Sequence, residues 1–593
     1  MYARFGGAEH RVQSTKGVLA RAARESSDLR RGFVAAGVVT LVATLLKVLG
    51  PLVVRFGIDS GVIVGDRVAV VRAAAVFFLL LVLQYATARA SIRLIAGVGE
   101  RFLRRLRERV FRHMLSLDVG FFGRTKTGVL VSRMTSDVEA LTTFVDEGAV
   151  QVLTSVLMVV GVGIAMLFVD VTMGLIILAL LPFLVGASLV FRRYADRAYQ
   201  RVREHIGRVL ASVQEGISGV RVVQAYTQQD QQATDFGRVN EEYYEANLAA
   251  ARAISTYFPA VDLLRTLGTV LVLGLGGLRV LDGSLTFGSL FALLLYLQWF
   301  FEPITQLSNV YNLMQAAIAA LDKLFGLLDT PSGVPDPATP VPLATADGAV
   351  GFHHVGFGYV PGIPVIGRLD LDVAPGERVA VVGETGAGKS TVAKLAVRFH
   401  DPDRGAVTID GVSLRDVDPT DFRRHVVMVP QEGFLFSGTL ADNLRYARPD
   451  TDDASLWELC ERIGIADWVR SLPDGLATEV RERGSRFSSG ERQLVALARA
   501  LVADPTVIVL DEATSNLDPD TERRVEAVLG TLLEGRTAIV IAHRLATADR
   551  ADRVVVMADG EVVEEGPPAE LLAAGGHYTR LHAAWRAGYV TGE

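Results

Sequence analysis

The chain has one cysteine in 593 residues, Cys460. No intrachain disulfide can form, and a cysteine-based metal cluster is excluded. A lone thiol fits a cytosolic or membrane setting. The first 31 residues hold no apolar run. They carry Arg4, Arg11, Lys16, Arg21, Arg24, Arg30 and Arg31, and the apolar stretch that follows is too long for a signal-peptide h-region. Two further absences are local. The stretch around Asp170 has no basic residue, and the one around Asp282 has only Arg279 nearby. Proline is missing from two long, arginine-rich stretches, so nothing there forbids a helix.

Apolar residues are abundant: the hydrophobic fraction is 50% and the mean hydropathy +0.32. Charge is divided unevenly. Residues 1–330 hold 34 Lys+Arg against 26 Asp+Glu, and residues 331–593 hold 26 against 40. Two halves of opposite sign imply two domains in different surroundings. Six apolar segments lie in the basic half, near 33–57, 69–92, 148–169, 171–191, 258–281 and 286–310. Each is long enough to cross a hydrocarbon core of about 30 Å as a helix.

Arginine sets the expected orientation. Arg101, Arg104, Arg105, Arg107, Arg109, Arg112, Arg124 and Lys126 follow the second segment. Arg192, Arg193, Arg197, Arg201, Arg203 and Arg208 follow the fourth. The positive-inside rule therefore places both termini and both long loops in the cytosol. The loops keep a helical period, as in RFLRRLRERVFRHML and RRYADRAYQRVREHIGRVLASV, so the membrane helices are expected to project beyond the bilayer, turn and return. A Pro-rich linker, 331–348, follows. Beyond it, RVAVVG, VVMVPQ, TVIVLDE, TAIVIAH and RVVVMADG alternate with helical patterns, which predicts an α/β domain with a largely parallel sheet. The expected division is a 1–31 arm, a 32–330 membrane domain, the linker, and a 349–593 domain.

The strongest chemical signal is GETGAGKST, which comprises Gly383, Glu384, Thr385, Gly386, Ala387, Gly388, Lys389, Ser390 and Thr391. It matches G-x-x-x-x-G-K-[ST] and lies between a predicted strand and a predicted helix, the context in which backbone amides wrap phosphates. Gly386 and Gly388 permit close backbone approach. Lys389 brings a positive charge to the phosphates and Ser390 a hydroxyl to Mg2+. In TVIVLDEAT, Asp511 and Glu512 close a buried strand, where two acids are costly unless they serve a cation or a nucleophile. Asp511 is expected to hold Mg2+ and Glu512 to polarise the attacking water.

With these motifs in this order, the second half resembles the nucleotide-binding domain of an ATP-binding cassette transporter. The whole chain apart from its arm resembles the exporter-type half-transporters, the group of lipid flippases and bacterial multidrug exporters. The resemblance implies a six-helix transmembrane domain of the type I exporter (type IV) fold, followed by an α/β P-loop nucleotide-binding domain. It also implies ATP and Mg2+ as cofactors and a multi-pass protein of a bacterial cell membrane. By the same resemblance, Tyr359 in VGFGY is the aromatic that stacks on adenine. Gln431 in VPQEGFLFSGTL contacts Mg2+ and senses the membrane domain. His543 in IAHRL is the switch histidine, and Asn516, Leu517 and Asp518 belong to the loop at the dimer interface.

FSSGERQ, Phe487–Gln493, stands where the family signature usually reads LSGGQRQ. Ser488 and Gly490 are retained, with Ser489 between them, and are expected to meet the γ-phosphate. Phe487, Ser489 and Glu491 depart from the pattern, and the Glu491 charge near an anion is expected to weaken that contact. TEVRERG, Thr478–Gly484, resembles the cross-talk loop, with Arg481 where Gly is usual. The loop turns 121–141 and 215–232 resemble the family's two intracellular loops, each with a short coupling helix, the second commonly reaching the opposite subunit.

One chain supplies one phosphate loop and one signature, whereas the family sandwiches ATP between two domains, so two chains are expected. An intact Glu512 beside an altered signature favours a heterodimer, with a homodimer as the alternative. The substrate is expected to be a lipophilic or amphiphilic small molecule. Export or flipping stands beside import of a siderophore or lipid-like nutrient, and an ATP-gated channel or regulator with little transport is a distant third. The arm is too short for a peptidase domain, so peptide processing before export is not expected. Lys47, Asp262, Arg265 and Glu302 lie inside apolar segments, where charges usually face a cavity or each other. Glu302, before Pro303, is expected to favour cationic or zwitterionic amphiphiles.

Overall fold

A computed structural model describes residues 15–25, 27–431, 433–511, 519–542 and 545–590. They divide into two compact units. One contains Leu115–Thr127 together with the described residues from Thr330 on, and the other contains the rest.

The second unit is helical throughout. Five stretches of it, Ser27–Val62, Arg67–Leu115, Thr127–Val169, Val171–Ser218 and Gln229–Leu281, are long and apolar enough to cross a membrane among the described residues. The sixth long helix, Phe287–Leu328, covers the remaining expected segment. Gln229–Leu281 has 53 residues, so it runs roughly 80 Å, far more than a bilayer core. The arginine-rich periodic stretches are therefore continuations of membrane helices, as their pattern predicted. Large apolar side chains such as Phe78, Phe168 and Leu281 lie exposed, as expected where the surrounding solvent is lipid. Met158, Val162, Met166, Ile177, Leu293, Tyr296, Leu297 and Phe300 form the unit's interior. The buried Tyr296 hydroxyl is satisfied by the Val48 carbonyl at 2.6 Å. At one end Asp170 caps the helix that follows it and accepts from Arg279 at 2.7 Å. The only basic residue near these two short connections is thus neutralised by the acid of the other.

Two short helices close the long hairpins, Val119–Arg124 and Val220–Ala225. The first belongs by its contacts to the unit that holds the C-terminal half; the second belongs to the helical unit.

The C-terminal half is built on a six-stranded sheet. Its order is Glu561–Gly566, Arg553–Ala558, Arg378–Gly383, Thr537–Ile541, Val507–Asp511 and Val426–Val429. All neighbours are parallel except the first pair. The inner strands are buried on both faces, which explains their near-continuous Val and Ile runs. A second, antiparallel sheet runs in the order Ile366–Val373, Val350–Phe357, Arg404–Ile409, Val412–Ser413. The helix Lys389–Ala396 contributes Val392 and Ala393 to the core shared by the two sheets. A second, mainly helical core runs from Val429 to Val540 and encloses Cys460. Burial pushes that thiol up to about 11, so it is protonated and unreactive at neutral pH. The linker is tied down: Asp410 accepts from the amides of Asp347, Gly348 and Ala349, and Val341 bridges to Val417.

Candidate functional site

Gly383 ends a buried strand and Lys389 begins a helix. Between them Gly383, Gly386 and Gly388 adopt φ of 150°, 91° and 98°. These angles turn successive amides in a way that L side chains resist. Space adds a second constraint. A Cβ on Gly383 would lie 2.2 Å from the Met557 carbonyl oxygen, and one on Gly388 would lie 2.6 Å from Ile366 Cδ1. Around Gly386 there is open space, so only its backbone angle requires glycine. Lys389 is buried and its Nζ donates to the Gly383 and Glu384 carbonyls, each at 2.8 Å. A cation folded back across a winding, amide-rich loop suits a polyphosphate, whose charged oxygens compete well against neutral carbonyls. Glu384 and Thr385 are exposed, Ala387 and Thr391 buried, and Ser390 half-buried.

Sheet order assembles the remaining candidates. Asp511 closes the strand Val507–Asp511 and pairs with Ile541, which pairs in turn with Val381. The half-buried Asp511 therefore lies at the same sheet level as Val381, two strand spacings or roughly 10 Å away. Gln431 follows the adjacent strand Val426–Val429, whose last residue pairs with Leu510. Gly383, Asp511 and Gln431 thus come from carboxyl ends of parallel strands in one sheet, the edge where α/β sheets bind ligands. Ser390, Asp511 and Gln431 offer a hydroxyl, a carboxylate and an amide oxygen, a donor set that suits the hard Mg2+ ion completed by phosphate and water. Glu512, Asn516, Leu517, Asp518 and His543 lie outside the described residues.

Tyr359 sits beside this loop. Its hydroxyl and the Thr391 hydroxyl are 3.2 Å apart, and Lys394 Nζ lies 5.5 Å from the ring centroid. The ring meets Phe357 and His400 edge-on at 5.0 and 5.4 Å. His400 leads to the first short helix: a Cβ on Gly120 would lie 2.9 Å from His400 Cε1. Asp118 caps that helix through the Phe121 amide at 3.0 Å, and its other oxygen accepts from the Gly333 amide at 2.7 Å. Burial holds the His400 imidazole below its ordinary pKa. Lys394 and Arg124 add to that, and Asp118 opposes it. Sequence reasoning missed Asp118 and His400, which are far apart in the chain.

At the altered signature, Ser488 is the N-cap of the helix Ser489–Ala503. Ser488 Oγ accepts from the Glu491 amide at 3.2 Å, and Glu491 Oε2 accepts from the Ser488 amide at 2.7 Å. Trp468 Nε1 donates to the other Glu491 oxygen at 2.9 Å. Burial would raise the Glu491 carboxyl, but the Ser488 amide, the Trp468 indole and the Ser488 hydroxyl together hold it below the usual glutamate range. The charge expected to disturb a bound anion is therefore engaged in a capping box. Phe487 is buried and meets Trp468 edge-on at 6.0 Å. Ser488 and Ser489 are exposed and Gly490 is buried. The segment after Gln431 runs against this helix, since a Cβ on Gly433 would lie 2.5 Å from the Arg492 carbonyl oxygen. Among the cross-talk residues, Arg483 has φ 54° and Arg481 is exposed.

Comparison with known proteins agrees with this geometry. A family model described as the ABC transporter transmembrane region matches residues 33–304, and one described as ABC transporter matches residues 366–515. The chain is 33% identical over 542 residues to the uncharacterized ABC transporter ATP-binding protein YknV of Bacillus subtilis, covering 91% of this chain and 90% of that protein. It is 36% identical over 546 residues to a multidrug efflux ATP-binding/permease protein of Mycobacterium bovis. That alignment covers 92% of this chain and 45% of the longer relative. A bacterial Atm1-family ABC exporter solved with ATP bound superposes with TM-score 0.77 at 27% identity, over 94% of this chain and 98% of that one.

Proposed function

The chain belongs to the ATP-binding cassette transporter family, as a multi-pass, exporter-type half whose ATPase drives transport, and on that premise we propose that it exports or flips a lipophilic or amphiphilic molecule as one half of a heterodimer. The carrying observation is an intact Glu512 beside an altered signature, Phe487–Gln493, in a chain with one phosphate loop and one signature. The Mycobacterium relative, of which this chain covers under half, is long enough to hold two such halves.

In this reading the 383–391 amides and Lys389 bind the β- and γ-phosphates, and Tyr359 stacks on adenine. Ser390, Gln431 and Asp511 hold Mg2+, which when bound neutralises charge on the phosphates. Glu512 orients and polarises the attacking water, His543 contacts the γ-phosphate region, and Ser488, Ser489, Gly490 and Asp518 meet nucleotide from across the interface. ATP favours the closed pair, so binding shifts the population toward closure and hydrolysis releases it. The ATPase unit and both long hairpins lie on the cytosolic side of the cell membrane. Exposed apolar surface supports the pairing. Val222 and Tyr226 at the second turn are 62% and 73% exposed, and Phe434, Phe436 and Tyr446 form an exposed aromatic cluster beside the Gln431 segment.

A homodimer is the second reading, favoured by the Glu491 capping box, which keeps the altered signature ordered. Purifying the chain alone in lipid and measuring Mg-ATPase beside Glu512→Gln separates the two. The heterodimer reading expects no Glu512-dependent turnover until the partner half is added. Turnover by the chain alone that the mutation abolishes would overturn it in favour of the homodimer.

A further inference from the structure

A cleft of about 330 Å3 lies in the helical unit between the helices Arg30–Phe56 and Arg67–Leu115, near the connection that joins them. Each helix gives it one stripe. Leu49, Leu52, Val53 and Phe56 line it from the first, and Arg72, Val76 and Leu80 from the second. Spacings of three and four residues put each set on a single helix face. Small residues bring the two helices close at the connection end. A Cβ on Gly57 would lie 2.9 Å from Ala73 Cβ, and one on Gly61 would lie 2.7 Å from Val70 Cγ2. Leu49, Phe56 and Val76 stay exposed, so the apolar walls face the surroundings of the unit, which for a membrane span are lipid.

Among the described lining residues Arg72 carries the one charge. Arg279 and Arg55, near the same short connections, are held by acids: Arg279 donates to Asp170 at 2.7 Å, and Arg55 Nε lies 3.7 Å from Asp59. Asp59 also accepts from the Thr286 hydroxyl at 2.6 Å and the Gly288 amide at 2.7 Å. Asp66 accepts from the Val68 and Ala69 amides. No carboxylate among the described residues pairs with Arg72. Arg67 opens its helix, where water is in reach, but Arg72 lies five residues further in, roughly 7.5 Å. It stands at the edge of a long apolar run, where an uncompensated guanidinium is costly. Val76 and Leu80 follow on the same face, roughly 6 and 12 Å deeper.

We propose that this cleft binds an anionic phospholipid from the leaflet around the short connections, the outer leaflet in the orientation proposed above. The planar guanidinium of Arg72 takes the phosphate through paired N–H···O bonds. An acyl chain lies between the two apolar stripes, toward the middle of the bilayer. Selectivity follows from the charge of the lining. Its guanidinium meets a phosphate, whereas none of the described lining residues offers a carboxylate to the ammonium of a zwitterionic head group. A lipid with net negative charge is therefore preferred.

The test uses the full chain, captured with any partner half, in a neutral detergent, and counts bound lipid by native mass spectrometry. Phosphatidylglycerol, phosphatidylcholine with the same acyl chains, and inorganic phosphate are the probes. The wild type should prefer phosphatidylglycerol to phosphatidylcholine and bind phosphate far more weakly than either. Arg72→Gln should weaken phosphatidylglycerol binding by about tenfold and remove the preference. Arg72→Lys should keep the preference, which guards against a folding defect. Val76→Trp, which fills the cleft and leaves the charge in place, should weaken both lipids alike. Equal phosphatidylglycerol affinity in wild type and Arg72→Gln, or no wild-type preference, would overturn the proposal. Phosphate bound as tightly as the lipid would assign Arg72 to a free anion, and an assembled pair that binds no phosphatidylglycerol would assign the cleft to the partner half; either result also overturns it. Lipid counting needs no turnover, and Mg-ATPase of the same particles beside Glu512→Gln reports separately on the transport reading.

Discussion

The two short helices that close the long hairpins look alike in sequence position and length, yet their surroundings differ. Val119–Arg124 is seated within the ATPase unit. Asp118 caps it and accepts from Gly333, and Gly120 packs on His400, which touches Tyr359 beside the phosphate loop. Val220–Ala225 groups with the helical unit and has no buried residue, while Ile217, Val222 and Tyr226 around it are exposed. The first turn is complete within one chain. The second presents exposed apolar side chains, and in the proposed pair they are the surface for the partner half. Tyr359, His400 and Gly120 are successive neighbours between the phosphate loop and the first turn.

The largest effect is expected at the second turn. Val222→Glu should cut ATPase on the order of a hundredfold by placing an uncompensated charge in the interface, while nucleotide binding to each chain persists. An unchanged rate would mean that the turn docks on nothing. A smaller effect is expected at the first turn. Gly120→Ala pushes a methyl against Asp118 Oδ1 at 2.6 Å and His400 Cε1 at 2.9 Å, an overpacking cost of about 1–3 kcal/mol. ATPase should fall about tenfold, whereas the same change at Gly123, with open space around it, should be silent. Asp118→Ala removes a helix cap and the Gly333 contact together, so a loss of about 1–2 kcal/mol is expected, read as a lower Tm.

The smallest effect is pH-dependent. The folded His400 has a depressed pKa, so its neutral form is the one the seat accepts. Between the folded and unfolded values the unfolded state binds more protons, and stability therefore rises with pH in that window. The contribution is complete above histidine's ordinary value of about 6.5 and is lost as pH falls below it, toward the lower folded value. Burial sets it first; Lys394 and Arg124 add to it and Asp118 opposes it, with the Tyr359 ring alongside. His400→Phe should flatten the acid limb of a Tm-against-pH curve; a limb that persists would assign it elsewhere.

The phosphate loop and the sheet were legible because their demands are local. Gly383, Gly386 and Gly388 answer backbone angles, and strands buried on both faces must read as Val and Ile runs. Helix continuation beyond the membrane was legible from the arginine-rich period. The seat of the first turn was not, because Asp118, Gly333 and His400 meet only after the chain has folded back over two hundred residues. Glu491 teaches a different lesson. Read against a family pattern it was a misplaced charge, whereas Ser488-x-x-Glu491 before an apolar helix is itself a capping signal, and Trp468 completes it. Neither Glu512 nor His543 adds to that comparison, since both lie outside the described residues.

The sandwich of nucleotide between the phosphate loop of one chain and the signature of another is the core of the proposed pair. Its most direct test is the native mass of affinity-purified Glu512→Gln particles, captured with any partner half, with and without Mg-ATP. The expected result is a particle of two half-transporters with ATP trapped between them, and loss of the trapped nucleotide when Ser488→Arg blocks the facing signature. A single chain that retains ATP by itself, or trapping that ignores Ser488→Arg in every facing chain, would contradict it.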